Sequence, residues 1–295
     1  MMDNQLIEIT QLAVNGLSIG AIYSLVALGL VLTYKATEVL NFAYGDLLTL
    51  AAFSGWAVIS VFQLPFWLAA IMVVALLAIA SYVLEAQVIR RVIGQPHFAS
   101  VMLTISLGFI IRGLVSMGFG TESQTFTTPW SGQLSNFGAI VIADLNVAII
   151  VVCATTATAL LLSLAKTKPG LAIQAASQNQ LAAYLMGIPV KRFNSLVWAV
   201  CGAIAALCAL LLAPITLVDI SLWSVVLKGL AALVLGGFGS VQGAIAGGLV
   251  LGLLEQFSGV YLPDGFKDGV ADTVLIAVLM FYPRGIMGDA HGRRV

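Results

Sequence analysis

The chain has 295 residues, of which 60% are hydrophobic and 9% are charged, whereas ordinary globular proteins have about 45–50% apolar and about 25% charged residues. So few polar side chains cannot cover a soluble fold of this length. The composition therefore excludes a soluble protein and indicates an integral membrane protein with several spans. Acidic and basic residues number 13 each, which leaves no bulk charge for binding nucleic acid.

Apolar stretches follow one another along the chain, most of them near the roughly 20 residues that a helix needs to cross a bilayer. They predict an all-α polytopic transmembrane helical bundle of about eight spans, with short or re-entrant Gly-rich helices in the C-terminal third. The short stretches 225–237 and 244–257 are either a re-entrant pair or two tilted helices. The other apolar stretches are 12–33, 40–62, 66–84, 98–117, 140–164, 195–213 and 270–282.

Basic residues predict the orientation, because cytoplasmic loops carry an excess of Lys and Arg. Placing 34–39, 85–97, 165–194 and 283–295 in the cytoplasm gathers all but three of the chain's 13 Lys and Arg there. We therefore expect the N-terminus outside and the C-terminus in the cytoplasm. The N-terminal flank has no basic residues, so the first span is expected to act as the insertion signal.

The sequence has no phosphate loop for nucleotide binding and no spacing typical of a metal site. There is no GxxxxGK[ST], no HExxH and no Cys/His metal spacing. Cys153, Cys201 and Cys208 lie in apolar stretches and are interpreted as packing residues. We expect no enzymatic activity, no metal and no cofactor in this chain, so ATP that drives it would be hydrolysed by another subunit.

Glycines recur at helical spacing in two places, so that one face of a helix has no side chains and a second backbone can approach it closely. Intramolecular packing of the bundle is one interpretation, and a sliding or pore-lining contact is the other. The glycines are Gly16 and Gly20 in the first span, and Gly239, Gly243, Gly247, Gly248 and Gly252 near the C-terminus.

Polar residues gather at the cytoplasmic entry to the second span. Asp46 is expected to face protein or water, because a carboxylate in hydrocarbon costs at least about 2.5 kcal/mol. Asn41 is a residue type that caps helices, so one interpretation of this segment is structural. The other is that Asn41, Tyr44, Gly45 and Asp46 line the translocation path.

The longest stretch without a span is 165–194. Ala, Gln and Leu favour a helix over 171–186, which Gly187-Ile188-Pro189 would end. This helix is too polar to cross a membrane. It is interpreted either as a docking surface for a partner or as an amphipathic helix on the lipid surface.

Four segments of the chain resemble one family of membrane permeases. NFAYGDLLTLAAF at 41–53 resembles an NFAHGD-type signature, and LGGFGSVQGAIAGGLVLGLLE at 235–255 resembles a Gly-rich second signature. FYPRGIMG at 281–288 is similar to a terminal RPxGLxG motif, and helix 171–186 with its Gly-Ile-Pro end resembles an ATPase-coupling segment. Together they resemble the branched-chain amino acid permeases of ABC importers, in particular the shorter, LivH-type permease of the inner membrane.

This resemblance implies a single permease domain over 1–295 of a bacterial inner-membrane protein, with a cytoplasmic coupling segment at 165–194. It implies three kinds of partner: a longer, homologous second permease or a second copy of this chain, two cytoplasmic ATPases that bind ATP and Mg²⁺, and an external solute-binding protein. The implied function is uptake of branched-chain or hydrophobic amino acids, or a similar small polar solute, by ATP-driven alternating access. The residues implied in coupling are Gln174, Ala175, Ser177, Gln178, Asn179, Ala182, Ala183, Met186, Gly187, Ile188, Lys191 and Arg192.

The sequence departs from the family pattern in places. Tyr44 stands where His is usual, and Gln174 and Asn179 stand where Arg and an acidic residue are expected. Docking would then rest more on apolar burial, Gly187 and the basic residues that follow it. Alternative substrates are urea, short amides, aromatic or other carboxylates, and sugars. A stand-alone secondary transporter or channel is the alternative from another class, with Asp46 and Glu255 as its candidate carboxylates.

Overall fold

The computed structural model describes residues 2–137, 140–263, 266–282 and 285–287. Seven of its helices are long and apolar enough to cross a membrane, and two further apolar helices are shorter. This confirms the predicted all-α polytopic transmembrane fold, with a short helix in the Gly-rich C-terminal third. The helices are α1 Met2–Thr37, α2 Tyr44–Trp56, α3 Phe66–Gln87, α4 His97–Phe119, α5 Asp144–Lys166, α6 Lys168–Gln178, α7 Gln180–Leu185, α8 Val190–Thr216, α9 Val225–Gly236, α10 Val241–Tyr261 and α11 Phe266–Phe281.

Short elements connect some of these helices. One π-helical turn, Ala57–Val61, continues α2, and 3₁₀ turns lie at Ile89–Arg91 and Ile220–Ser224. The strands β1 (Leu134–Phe137) and β2 (Ile140–Ala143) form an antiparallel hairpin in which Leu134 pairs with Ala143.

The chain divides into two compact units. The first unit comprises the described residues within Met1–Val31, Thr127–Thr155 and Leu227–Val295, and the second comprises Leu32–Phe126 and Thr156–Val226. Each unit is therefore assembled from segments far apart in sequence.

The second unit is built on α8, which packs against α2 and α3. Small residues on α8 allow this: a Cβ on Gly202 would overlap the side chain of Ser81 and the backbone of Leu77 in α3. Trp198 of α8 and Phe53 of α2 are fully buried in this core. Close helix packing of this kind supplies the van der Waals contacts that hold membrane helices together.

The first unit is built on the glycine face of α10. A Cβ on Gly252 would overlap the backbone of Gly20 in α1, and a Cβ on Gly248 would overlap the backbone of Ser24. On the α9 side, Gly247 faces the backbone of Ala232. This unit also holds the β-hairpin and α11, which packs against α10.

Three predicted boundaries were wrong. The span predicted at 140–164 begins as a helix only at Asp144, because the four residues before it pair with β1 in the hairpin. The single helix predicted at 171–186 is two helices, since Asn179 adopts an extended conformation between α6 and α7. The apolar stretch predicted at 244–257 is part of the 21-residue α10, which is long enough to cross a membrane.

Parts of two sequence predictions lie outside the described residues. They are the basic C-terminal segment from 288 onward, used for the orientation, and positions 283, 284 and 288 of the FYPRGIMG motif. Of that motif, Ile286 and Met287 donate backbone hydrogen bonds to the carbonyls of Leu235 and Gly236 at the end of α9. The motif therefore satisfies helix C-terminal carbonyls that would otherwise lack partners.

Candidate functional site

The segment between α5 and α8 is organised by local capping. Thr167 accepts a hydrogen bond from the N–H of Gly170 at 3.1 Å at the start of α6, and Asn179 Oδ1 accepts one from the N–H of Ala182 at 2.9 Å at the start of α7. Gly187 has φ +82°, a value that glycine adopts without strain, and ends the segment. We call α6, α7 and the turn that follows them the coupling segment.

One side of the coupling segment packs against its own unit. Ala176, Ala183 and Val190 form a small buried cluster, with Ile188 packed against it. Gln180 Nε2 donates to the carbonyl of Ala36 at 3.1 Å, and Gln174 Nε2 donates to the carbonyl of Leu164 at 3.1 Å. The segment is thus fixed to the start of α8 by apolar contacts and to α1 and α5 by hydrogen bonds.

The other side of α7 presents large apolar side chains that nothing covers among the described residues. Leu181, Tyr184, Leu185 and Met186 are 67–83% exposed. They lie outside the candidate spans. Contiguous exposed apolar groups of this kind mark interaction sites, and we call these four residues the α7 patch.

The predicted coupling residues divide between the two sides. Ala183 is buried and Ile188 and Ser177 are partly buried, so they belong to the attached side. The remaining residues of that set are exposed: Gln174, Ala175, Gln178, Asn179, Ala182, Met186, Gly187, Lys191 and Arg192. Tyr184 was missed, although its position in the apolar run LAAYLM pointed to it.

The residues at the start of α2 lie in the second unit and are nearly all buried. Asn41 does not cap α2: the N-cap is Ala43, and Asn41 Oδ1 is buried with no hydrogen-bond partner among the described residues. The capping interpretation was therefore wrong.

The hydroxyl of Tyr44 donates to the carbonyl of Cys201 on α8 at 3.1 Å. Gly45 lies against the backbone of Trp223, where a Cβ would overlap the carbonyl.

Asp46 forms a buried ion pair with Arg112 of α4. Arg112 Nε donates to Oδ1 at 2.8 Å and Nη2 to Oδ2 at 3.3 Å, and the Asp46 side chain is 4% exposed. The missing side chain of Gly108 makes room for the carboxylate. The guanidinium also lies over the ring of Trp223, 4.2 Å from its centroid. Asp46 was expected to face protein or water, and the structure places it against protein. The pair leaves little uncompensated charge in the span.

A second ion pair lies in the first unit. Lys228 Nζ is 2.6 Å from Glu255 Oε1, and the hydroxyl of Tyr23 donates to Glu255 Oε2 at 2.8 Å. The sequence indicated Glu255 as an ionisable residue in an apolar run but missed Lys228, whose only signal was a single cation in an apolar stretch. Both carboxylates that the secondary-transporter interpretation uses, Asp46 and Glu255, thus hold a cationic side chain of the same unit.

Two further acids near the spans have other surroundings. Asp219 accepts hydrogen bonds from the N–H of Ser221 at 2.8 Å and the hydroxyl of Ser123 at 2.7 Å. These bonds, led by those from Ser221, lower the pKa of Asp219. Asp272 is exposed. In the part of the chain that the structure describes, no group of three or more His, Cys, Asp or Glu could hold a metal ion.

The glycines act mainly in packing within the first unit. Gly243 and Gly247 face α9, while Gly248 and Gly252 face α1, where Gly20 and Gly16 receive them. Gly239 differs: it precedes α10, has φ +88° and has no atom within 4 Å of an added Cβ. Its predicted place in the helical glycine row was therefore wrong, and its role is to turn the chain before the helix.

The chain is similar to known membrane permeases along most of its length. The family model described as "Branched-chain amino acid transport system / permease component" matches residues 12–282. The chain is 28% identical to the high-affinity branched-chain amino acid transport system permease protein BraD of Pseudomonas aeruginosa, with 97% of each chain covered. It is 28% identical to LivH of Escherichia coli over 100% of both chains, and 26% identical to a probable LivH of Methanocaldococcus jannaschii over 90% of this chain and 88% of that one.

A solved structure shares the fold. It is "PsaBC from Streptococcus pneumoniae in complex with Fab", with a TM-score of 0.50 and 16% sequence identity over 93% of this chain and 92% of that one. The seven apolar helices make the chain an integral membrane protein, and the family match covers nearly all of them. The chain therefore belongs to the family of permease components of branched-chain amino acid transport systems.

Proposed function

We propose that this chain is the membrane-spanning subunit of an ATP-driven importer of branched-chain or other hydrophobic amino acids. The match of the family model to residues 12–282 carries this proposal. The names of the relatives, which specify high-affinity branched-chain amino acid transport, support the substrate class. The chain itself would be no enzyme and bind no cofactor.

The proposed energy source is a pair of cytoplasmic ATPases that bind ATP and Mg²⁺. The sequence has no phosphate loop of its own, and the α7 patch gives such a partner an apolar surface to cover. Lys191 and Arg192, both exposed at the start of α8, add positive charge beside it. Movement of the docked ATPases would then reach the spans through α6 and α7, and the solute path would alternate between the two faces of the membrane.

The remaining parts of the assembly follow from the same proposal. A second permease, homologous and longer or a second copy of this chain, would complete the pore, and an external solute-binding protein would deliver the amino acid. The chain would form a single permease domain in the bacterial inner membrane, with its N-terminus outside and its C-terminus inside.

Docking is tested by charge substitution on the α7 patch. Leu185→Asp combined with Met186→Asp should lower the ATPase recovered with the purified chain by about tenfold or more, because two central apolar contacts become charged. Leu134→Asp on the β-hairpin is the matched control, since Leu134 is 64% exposed and lies outside the coupling segment. Equal recovery from both variants would reject docking at this patch.

The substrate class is tested in proteoliposomes that contain the full transporter and its cognate solute-binding protein. Uptake of labelled leucine, isoleucine or valine that requires ATP and competes with unlabelled leucine is the expected result. ATP-dependent uptake of urea, an aromatic carboxylate or a sugar, with no amino acid uptake, would reassign the substrate. Uptake by the chain alone on an ion gradient would contradict the proposed function.

A further inference from the structure

Arg90 joins the end of α3 to the first two turns of α8, within the second unit. Its Nη2 donates to Glu85 Oε2 at 2.9 Å, to Ser195 Oγ at 2.6 Å and to the backbone carbonyl of Lys191 at 3.0 Å. The hydroxyl of Ser195 in turn donates to Glu85 Oε2. One guanidinium nitrogen thus reaches a carboxylate on one helix and two groups on another.

Burial makes this connection costly to break. Glu85 and Ser195 are fully buried, while the Arg90 side chain is 32% exposed. Without Arg90, the carboxylate of Glu85 would keep a single hydroxyl donor in a space closed to water, and a buried charge without its ionic partner is strongly unfavourable. The end of α3 and the start of α8 are therefore held together by an interaction that water cannot replace, because Glu85 and Ser195 are buried.

The α8 end of this connection is also the attachment point of the coupling segment. Val190, one residue before Lys191, packs with Ala176 of α6 and Ala183 of α7. A displacement of the coupling segment should therefore move the first two turns of α8, which carry the carbonyl of Lys191 and the hydroxyl of Ser195.

From α3 and α8 the contacts continue into the interior of the second unit. Gly202 lets α8 touch α3 at Ser81, one turn from Glu85, and the carbonyl of Cys201 accepts the hydroxyl of Tyr44 at the start of α2. Asp46, two residues beyond Tyr44, holds Arg112 of α4. The packed helices α8, α3 and α2 thus connect the coupling segment to the buried Asp46–Arg112 pair.

We infer that Glu85, Arg90 and Ser195 form a latch that makes α3 move with α8 when a partner displaces the coupling segment. The three residues are positioning residues, because they act by holding α3 to α8 and none of them belongs to the α7 patch. This inference rests on the proposed function. It adds that docking and the transmission of movement belong to different residues.

The test uses the complete transporter in proteoliposomes and measures solute transported per ATP hydrolysed. In Arg90→Gln and Ser195→Ala, the ATPases should still co-purify and hydrolyse ATP, while the ratio falls by about fivefold or more, the lower end of typical coupling between sites. Arg90→Lys should give an intermediate ratio, because an ammonium keeps the charge but loses the planar fork. Arg91→Gln, an exposed basic neighbour in the same 3₁₀ turn, should keep the wild-type ratio.

The double variant distinguishes a shared latch from two separate defects. Arg90→Gln with Ser195→Ala should lower the ratio no further than Arg90→Gln alone, because both changes open one connection. Wild-type ratios in Ser195→Ala and in Arg90→Lys would overturn the latch, even if Arg90→Gln fails to insert. If the wild-type chain neither binds ATPases nor transports, the proposed function is rejected. Normal wild-type transport with unchanged ratios in Ser195→Ala and Arg90→Lys rejects only the latch.

Discussion

At the scale of single residues, the membrane-embedded charges are compensated within their own units. Asp46 and Arg112 share two hydrogen bonds, and Glu255 holds both Lys228 and Tyr23. A charged group in a span is expensive unless it is paired, so each pair explains why its carboxylate is tolerated. Loss of either ion pair should therefore lower the stability of its unit, and this stability can be measured without a transport assay.

Replacing Asp46 by Asn should destabilise the second unit, because Arg112 would keep its charge and lose its ionic partner. Fully buried pairs cost about 3–5 kcal/mol when one partner is removed. The Arg112 side chain is 23% exposed, so we expect a smaller loss of about 2–3 kcal/mol. The thermal midpoint of the purified protein in detergent measures it.

The controls for Asp46→Asn remove charge elsewhere or on both sides. Glu122→Gln, at an exposed acid outside the spans, should leave the midpoint unchanged. Asp46→Asn with Arg112→Gln should recover part of the loss, because no unpaired charge remains. A double variant less stable than Asp46→Asn would show that the pair contributes more than charge compensation.

At the scale of elements, glycine spacing and side-chain volume decide where helices meet. The regular row Gly243, Gly247, Gly248 and Gly252 was visible in the sequence, and the structure places it against α1 and α9. Glycine spacing alone did not predict which helices pack against this row, because a helix face without side chains can pack against any helix of suitable shape. The spacing therefore predicts a contact surface, whereas the packing of the whole unit determines which helix lies against it.

Gly252→Ala should destabilise the first unit, because the added methyl would overlap the backbone of Gly20. Overpacking of this kind typically costs about 1–3 kcal/mol. Gly113→Ala on α4 is the matched control: no atom lies within 4 Å of its added Cβ, so the better helix propensity of Ala should leave stability equal or raised by up to about 1 kcal/mol. Thermal midpoints of the two variants that fall equally would contradict close packing at Gly252.

The pattern of the sequence predicts the helices of this fold better than the residues at which they begin and end. Long apolar runs gave the spans because hydrophobic length is set by the bilayer. The prediction from sequence failed where local hydrogen bonds outweighed helix propensity. Asn179 interrupts the predicted 171–186 helix because its side chain caps α7. Residues 140–143 form a strand because they pair with β1. At the site, Asp46 was recognised as needing a partner, but Arg112 is 66 positions away and only the fold brings the two together.

At the scale of the whole molecule, the orientation of the chain decides which partners each surface can meet. The distribution of Lys and Arg predicts that 165–194 lies in the cytoplasm. The α7 patch would then face the compartment that contains ATP, and the β-hairpin would face the side from which solute arrives. Orientation can be measured independently of both partners.

A membrane-impermeant maleimide should label Glu122→Cys in intact spheroplasts and Lys168→Cys only after the membrane is opened. Both positions are exposed and lie outside the candidate spans. Cys153, Cys201 and Cys208 are buried, so the unsubstituted chain supplies the background. Labelling of Lys168→Cys in intact spheroplasts would invert the predicted topology.

The α7 patch should also shorten the lifetime of a chain that is synthesised without its proposed partners. Four large apolar groups that no partner covers are an aggregation liability, and chaperones and proteases remove chains that aggregate or unfold. Copies synthesised in excess of the ATPase would therefore be short-lived, and those already covered would persist. The stoichiometry of the assembled transporter would then be set by selective degradation as well as by the rates of synthesis.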